Sequence, residues 1–401
     1  MRVAMFCHRV DERAIARLTI SLCRELSGLG CDVALVAAGS DPTARRAVPS
    51  DVRLVDLHAR LDTTMAVIPA LARWLRKERP DVLFAQHNGP NRAAVVARAL
   101  ARVTTCIVTV EQNHYSSYMS PSGGGWKLRR LRDFMTGCTY ARADRVAGVA
   151  PELVEDLEGR FPGVRGKTVL LPNPGLAPTE LGPRPVSPAD VPWLASPRPW
   201  RVVCSIANVI PRKGQDVLIA ALPAVREAAG DVRLLLVGRI GNAAYHAALL
   251  RSAQELRVSE FVSFAGYRRD RISLLAASDA FALASRNEGA PLSILEAMSV
   301  GVPVVATDCP SGPAHLLDGG RCGRLAPVDD AAAVARGLVD VLTDAGLRDR
   351  LVAAARRRAA EFTPRRAAEA YLELARECRA DRASDREEAP RVTDAPKLHR
   401  A

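Results

Sequence analysis

Short apolar runs alternate with amphipathic stretches along most of the chain. The run RVAMF is followed by an amphipathic segment over residues 15–29, a glycine at position 30 and a second run, CDVALVA. A buried strand, a helix that ends at glycine and another buried strand form a β–α–β unit. Similar units recur at PDVLFAQH and CIVTVEQNHYSS, and again from WRVVCSIANV through DVRLLLVG, EFVSFAGY and DAFALAS. The pattern predicts parallel sheets with helices between their strands.

The chain divides into two arrays of such units. Its 401 residues exceed what one hydrophobic core usually covers. Five prolines lie between positions 183 and 197, which is typical of a stiff linker. We therefore predict a doubly wound α/β domain over residues 1–178, a linker over 179–199, a second such domain over 200–362 and a helix over 363–378. Residues 379–401 are charged and poor in hydrophobics, which predicts disorder.

The densest polar chemistry lies in the segment SRNEGAPLSILEAMSVGVPVVATDCPSGP, which starts at Ser285. Glu288 falls in a glycine-bearing loop, and Pro291 suits the start of a helix that ends at Gly301. The first turn of a helix offers unpaired N–H groups and a positive dipole end, which favour a diphosphate. Glu296 would lie beside that ligand and Glu288 on its far side, where carboxylates can accept hydrogen bonds from sugar hydroxyls. The alternative is a solvated loop residue and an exposed helix residue.

The string EG-x-P-x-x-x-LEAM-x-x-GVPVVATD-x-PSGP resembles the donor-binding signature of retaining glycosyltransferases of family 4. The resemblance implies the GT-B fold, in which two doubly wound Rossmann-like domains face a cleft and the last helix crosses back onto the first domain. It implies that Glu288 is the catalytic carboxylate beside the sugar and that Glu296 holds the ribose. The backbone between them would bind the donor at Gly289, Ala290, Pro291 and Leu292.

Shorter matches imply further donor contacts. IPRKGQD resembles the strand-to-helix turn in which a lysine, here Lys213, reaches the diphosphate and a glycine, here Gly214, opens the helix. The family often has an arginine where this chain has Asn208, and Arg212 would compensate for its loss. VGRIG and FAGYRRD fall where the family meets the nucleotide, which implicates Gly238, Gly266 and Tyr267. No Asp-x-Asp pair stands at a strand end, so we expect catalysis without a metal or a cofactor.

Polar clusters in the first domain follow predicted strands, where the ligands of open α/β sheets bind. Residues 87–91 read HNGPN, and Asn91 is our acceptor-side candidate there. His114 follows the next strand and matches a family histidine that faces the donor sugar, whereas a lone histidine after a strand is more often structural. The family carries a glycine-rich turn after the first strand, but this chain has CHRVDERA. His8 and Arg9 would replace backbone contacts to the acceptor with side-chain ones, unless His8 is an ordinary loop residue.

Composition narrows the function further. No run of eighteen apolar residues occurs, and the first residues lack the apolar region of a signal peptide, so we expect a cytoplasmic protein. Nine cysteines form no C-x-x-C pair or zinc spacing, which fits reduced thiols and no structural metal. The net charge of +12 is spread along the chain without aromatic interleaving. This favours an anionic substrate or an anionic membrane face over nucleic acid.

One segment, WKLRRLRDFMTGCTYAR over residues 126–142, is both basic and amphipathic. It predicts either a surface helix that packs its apolar side and solvates its basic side, or an interfacial helix. An interfacial helix would dock the first domain on anionic lipid that carries the acceptor, at the inner face of the membrane.

We therefore predict a retaining glycosyltransferase that moves a hexose or N-acetylhexosamine to a glycan or lipid-linked acceptor in surface polysaccharide or glycoconjugate assembly. The resemblance in the PSGP segment favours a UDP-sugar as the nucleotide-sugar donor. A UDP-sugar epimerase or phosphorylase of the same fold is an alternative, although no further carboxylate is evident as an epimerase base. A nicotinamide-dependent oxidoreductase is disfavoured, because no G-x-G-x-x-G follows the first strand. Only an activity measurement excludes a binding protein with an inactive site.

Overall fold

The structure is a computed structural model that describes residues 1–58, 64–119, 126–177 and 191–388. Its first half contains a seven-stranded parallel sheet in the order β3-β2-β1-β4-β5-β6-β7. The strands are β1 (Arg2–Val10), β2 (Asp32–Ser40), β3 (Arg53–Asp56), β4 (Val82–Gln86), β5 (Cys106–Glu111), β6 (Arg145–Gly148) and β7 (Thr168–Leu170). The order reverses direction between β1 and β4, which is the switch point of a doubly wound sheet.

Helices cover both faces of this sheet and form one hydrophobic core on each face. They are α1 (Ala14–Gly28), α2 (Pro42–Arg45), α3 (Ile68–Glu78), α4 (Asn88–Ala101), α5 (Tyr115–Met119), α6 (Trp126–Ala141) and α7 (Pro151–Arg160). Every residue of β4 and β5 is buried. Central strands of a parallel sheet that is covered on both faces are continuous apolar runs for this reason.

The second half repeats the arrangement with six parallel strands in the order β10-β9-β8-β11-β12-β13. The strands are β8 (Arg201–Ile206), β9 (Val232–Val237), β10 (Val262–Gly266), β11 (Ala280–Leu283), β12 (Val304–Thr307) and β13 (Arg324–Ala326). The helices are α8 (Gln215–Ala229), α9 (Ala243–Glu255), α10 (Arg271–Ala276), α11 (Leu292–Val300), α12 (Pro313–Leu316), α13 (Ala331–Thr343) and α14 (Ala345–Ala359). Two doubly wound α/β units therefore form the chain.

The last helix, α15 (Pro364–Glu388), returns to the first half and packs on α1, β4 and β5. The Tyr371 ring lies 4.9 Å from the Phe84 ring between centroids. The predicted boundary at residue 378 is wrong, since the helix continues to Glu388. Ion pairs hold the added turns, because Asp381 binds Arg145 at 2.5 Å and Arg382 binds Asp144. Residues 389–401 of the predicted tail lie outside the described residues.

The linker that we predicted over residues 179–199 ends earlier than the proline pattern indicates. Residues 178–190 lie outside the described residues, but Val191 and Leu194 are already buried in the core of the second half. The Trp200 indole Nε1 donates to the Trp193 carbonyl at 2.9 Å. The second domain therefore begins near residue 191, because apolar side chains among the prolines pack into its core.

The two halves meet where the carboxyl ends of their strands face each other. The His114 N–H donates to the Glu288 carbonyl at 3.2 Å, and the Gly175 N–H donates to the Phe362 carbonyl at 2.6 Å. The Gln112 carbonyl approaches Gly289 so closely that a Cβ at position 289 would lie 2.1 Å from its oxygen. Only glycine permits this approach. In the described parts of the chain, no helix has the length and apolarity needed to cross a membrane.

Candidate active site

A cavity of about 690 Å³ lies between the two halves. Its walls come from the connections after β1, β4, β5 and β7 in the first half and after β8, β9, β10 and β11 in the second. Ligands of doubly wound sheets bind at these carboxyl-terminal strand ends. The volume lies within the range of pockets that enclose a cofactor-sized ligand.

Lys213 and Glu288 form an ion pair in the wall of this cavity, with 2.5 Å between Nζ and Oε1. Lys213 ends a 3₁₀ turn between β8 and α8, and Gly214 follows it with a φ of 64°. A Cβ at Gly214 would lie 1.9 Å from the Ala284 carbonyl oxygen, so the turn requires glycine. The Ser285 hydroxyl donates to the same Glu288 oxygen at 2.6 Å. The structure thus brings together two residues that are 75 positions apart.

The charges of this pair are set by burial and by the neighbouring arginine. Burial by itself would raise the pKa of Glu288, but Lys213 and Arg212 outweigh it and hold that pKa below its ordinary value. Arg212 lies 3.7 Å from the second carboxylate oxygen of Glu288 and donates to the Asn287 carbonyl at 2.5 Å. Burial also lowers the pKa of Lys213. Glu288 is therefore a firmly ionised carboxylate and a weak base.

Glu296 lies in the second turn of α11 and is 4% exposed. Its Oε1 accepts from Arg271 at 2.8 Å and from Arg17 at 3.1 Å. Burial raises the pKa of Glu296, and the Arg17 charge acts against that rise. Sequence reasoning missed both arginines. Arg271 follows the FAGYRRD motif directly, whereas Arg17 comes from α1 of the other half and no local signal connects it to Glu296.

The predicted donor loop, Gly289 to Leu292, lines the cavity. It is held from the first half by a chain of buried amides. The Asn173 side chain donates to the Ala290 carbonyl and to the Gln112 side chain, both at 3.1 Å. Gln112 in turn donates to Gln86 at 3.0 Å. Asn173 therefore fixes the donor loop against the first domain.

Several residues that the nucleotide motifs implicate lie on the same side of the cavity. Tyr267, Gly238 and Asn208 line it, whereas Gly266 lies behind the wall, where its carbonyl accepts from the Gly238 N–H at 2.8 Å. Glu12 and Arg239, which also line the cavity, connect the two halves across the cleft by an ion pair of 3.3 Å.

Besides Gly214 and Gly266, the predicted residues His114 and Asn91 do not line the cavity. The ring of His114 is drawn toward α5 and α7, where its Nδ1 lies 3.0 Å from the Ser117 hydroxyl and 3.6 Å from Asp156. Its backbone, not its ring, contacts the donor loop. Asn91 is fully buried and bonds Glu111 at 2.8 Å, so it supports the end of β5. The expectation that these side chains face substrate is not met in this structure.

Other acceptor-side predictions do line the cavity. His8 and Arg9 lie in its wall at the carboxyl end of β1, and Arg9 also pairs with Asp41 at 2.9 Å. Sequence reasoning missed Asn88 and Arg92. These two residues of α4 line the cavity, whereas Asn91 between them does not. In the parts of the chain that the structure describes, no group of three or more His, Cys, Asp or Glu side chains gathers as a metal site.

Comparison with known proteins gives the family. Residues 14–174 match the family model described as "Glycosyl transferase 4-like domain", and residues 201–344 match the one described as "Glycosyl transferases group 1". Anabaena HepE, solved in complex with UDP and glucose, has a TM-score of 0.73 at 20% identity and covers 94% of this chain and 100% of its own. The chain belongs to the glycosyltransferases of family 4 type with the GT-B fold.

Two similar proteins carry names that describe different glycosyltransferase activities. The GDP-mannose-dependent alpha-(1-6)-phosphatidylinositol monomannoside mannosyltransferase of Mycolicibacterium smegmatis is 36% identical over 152 residues, which are 36% of this chain and 39% of that protein. This chain thus spans less than half the length of that relative. The lipopolysaccharide core biosynthesis glycosyltransferase LpsE of Rhizobium meliloti is 27% identical over 345 residues, 82% of this chain and 86% of that protein.

Proposed function

We propose that the protein is a retaining glycosyltransferase that moves a hexose from a nucleoside diphosphate to a glycan or lipid-linked acceptor. The observation that carries the proposal is the ion pair of the half-buried Lys213 and the buried Glu288 beside the donor loop, at the cleft between two doubly wound domains. A cation for the diphosphate and a carboxylate for the sugar stand side by side there.

The donor diphosphate would lie between Lys213, Arg212 and the start of α11. Its negative charge is met by two side-chain cations and by the positive end of a helix dipole, so no metal is required for charge balance. Glu296 would accept hydrogen bonds from the ribose hydroxyls while Arg17 and Arg271 hold its carboxylate in place. These side chains act mainly on donor affinity.

The chemistry would take place beside Glu288. As the bond from the anomeric carbon to the diphosphate oxygen breaks, positive charge develops on the sugar, and the Glu288 carboxylate stabilises it. Because the lowered pKa of Glu288 makes it a poor base, the departing diphosphate oxygen takes the proton of the acceptor hydroxyl as that hydroxyl bonds to the anomeric carbon. Attack from the side of the leaving group retains the configuration.

The acceptor would come from a membrane face. On α6 the side chains of Leu131, Phe134 and Met135 are 55%, 69% and 50% exposed, although all are large and apolar. Exposed Lys127 and Arg129 lie on the same helix. Apolar and basic side chains together suit the surface of an anionic bilayer. The names of the two relatives, which refer to phosphatidylinositol and lipopolysaccharide, support a lipid-linked acceptor.

Binding and transfer with a panel of nucleotides and nucleotide-sugars test the proposal. HepE was solved with UDP, and the mannosyltransferase relative is named for GDP-mannose, so UDP, GDP and their hexose conjugates belong in the panel. We expect one diphosphate to raise the melting temperature and its sugar conjugate to be hydrolysed or transferred in the presence of EDTA. Absence of both effects across the panel would refute the function.

A further inference from the structure

We propose that the start of α4 is an oxyanion subsite, in which Asn88 and Arg92 bind a phosphate ester carried by the acceptor. The inference rests on the proposed function, because it names the class of acceptor that the same cavity takes. Its residues lie in the first half of the chain and differ from those assigned to the donor.

Asn88 and Arg92 lie four positions apart near the beginning of α4, so their side chains fall on one face of the helix. Both line the cavity, together with Gly89 and Pro90 of the same turn. The intervening Asn91 points into the protein and bonds Glu111. The cavity-facing side of α4 is therefore a defined pair of polar groups at a helix N-terminus.

Among the described residues, Arg92 is the one cavity-lining arginine or lysine without a carboxylate partner. The four carboxylates in the cavity wall are already bound: Asp11 by Arg13, Glu12 by Arg239 and Arg269, Glu288 by Lys213, and Glu296 by Arg17 and Arg271. The Nε of Arg92 is buried and has no hydrogen-bond partner in the described part of the chain. Burying such a donor costs free energy unless something binds it.

Asn88 gives a second and independent indication. It is only 7% exposed, and its Oδ1 is buried without a hydrogen-bond partner among the described residues. Buried amide groups are nearly always satisfied in folded proteins. In the wall of a cavity, the amide nitrogen can donate to a phosphate oxygen, and the unsatisfied Oδ1 can accept from a hydroxyl of the same ligand.

The electrostatics around the pair favour an anion. The N-terminus of α4 carries a partial positive charge, and Arg92 adds a full one. Arg92 acts electrostatically on Glu111, but burial raises the pKa of Glu111 to about 7, and Tyr140 and Asn91 bond its carboxylate. A guanidinium group binds phosphate oxygens through two parallel hydrogen bonds, and a neutral hydroxyl cannot accept both.

The test compares myo-inositol 1-phosphate with myo-inositol in titration calorimetry, on protein saturated with its nucleoside diphosphate so that donor-side cations are occupied. We expect the phosphate-bearing probe to bind at least about 10-fold more tightly. Dihexanoyl phosphatidylinositol forms a second arm. Preference for this lipid over inositol 1-phosphate identifies a lipid headgroup as the source, and equal affinity identifies a free phosphate ester.

Variants separate this subsite from folding. Arg92→Gln should weaken the phosphate probe by roughly 10- to 100-fold, and Arg92→Lys should recover part of that loss. Asn88→Ala should also weaken it and yet hardly lower the melting temperature, because the Asn88 Oδ1 has no hydrogen-bond partner to lose among the described residues. Arg73→Gln on α3 is the matched control, since it removes an exposed arginine of the first half that does not line the cavity.

The two proposals fail in different ways. If no nucleotide binds, the proposed function fails. The subsite can still be tested, because titrating Lys213→Ala, which lacks the donor-side lysine, with inositol 1-phosphate and inositol measures binding at the start of α4. Binding of inositol 1-phosphate that depends on Arg92 in that background supports the subsite. Equal affinities for inositol and inositol 1-phosphate, or equal effects of Arg92→Gln and Arg73→Gln, would overturn it.

Discussion

Replacing Glu288 by glutamine removes one charge from the centre of the cavity and keeps the size of the side chain. The Gln carbonyl can still accept from Lys213 and Ser285, which lie 2.5 and 2.6 Å from the present carboxylate oxygen. Lys213 then keeps a neutral acceptor but loses its counter-charge. Hydrogen bonds to charged groups contribute about 1.5–3 kcal/mol, so we expect the free energy of unfolding to fall by about 2 kcal/mol.

Glu288→Gln should have opposite effects on turnover and on nucleotide binding. Loss of one preorganised electrostatic group typically lowers kcat by about 10²–10³-fold, or about 3–4 kcal/mol. In contrast, the diphosphate becomes the only strong counter-charge for Lys213, so the nucleoside diphosphate should bind more tightly than it binds the wild type. Saturating nucleotide should therefore raise the melting temperature of Glu288→Gln by more than it raises that of the wild type.

The measurements are kcat and KM at saturating acceptor, the dissociation constant of the nucleotide, and melting curves with and without it. Lys213→Ala is the matched control, because it should weaken nucleotide binding by about 1.5–3 kcal/mol. Wild-type turnover by Glu288→Gln would refute the catalytic role of this carboxylate. Nucleotide binding weakened to the level of Lys213→Ala would refute the assignment of separate roles to the pair.

Three further predictions concern the surroundings of the site. Burial raises the pKa of Glu111 from 4.5 to about 7, so its neutral form stabilises the fold below pH 4.5 and this contribution is lost as the pH rises through 7. Glu111→Gln should remove about 3 kcal/mol of that pH dependence in urea titrations at pH 4.5 and 8, and an unchanged slope would contradict it. Glu296→Gln should raise the donor KM more than it lowers kcat, since it weakens binding in ground and transition states alike, and a selective loss of kcat would argue against a ribose contact. Changing Leu131, Phe134 and Met135 together to serine should release the protein from anionic vesicles in sedimentation assays without lowering donor hydrolysis, whereas equal sedimentation would exclude α6 as the membrane contact.

Local patterns were sufficient to predict the elements and the donor loop. Strands such as β4 are short apolar runs, and α11 has its proline before the first turn and its glycine after the last, so residues near in sequence decide where each begins and ends. The role of Gly289 as a loop glycine was also predictable. Its specific cause, the Gln112 carbonyl that excludes a Cβ, was not, because that carbonyl belongs to the other domain.

Side-chain direction decided which predicted site residues line the cavity. The cluster HNGPN was correctly placed at a strand end, but only the packing of α4 turns Asn91 toward Glu111 and leaves Asn88 in the cavity wall. Likewise His114 follows β5 as expected, yet Asp156 and Ser117 hold its ring away from the cavity. One residue along a helix changes the direction of a side chain by about 100°, so a polar cluster alone does not show which member meets substrate.

The sequence by itself determined the two α/β units, the family and the local shape of the donor loop, because these follow from periodicity and from short motifs. The tertiary structure alone decided which residues meet across the cleft and which helix faces are exposed. Arg17 reaches Glu296 over 279 positions, and the apolar side of α6 is exposed although its pattern equally suits a packed helix. Such contacts depend on which elements the topology brings together, and hydrophobic periodicity carries no information about the partner that an apolar or charged face will meet.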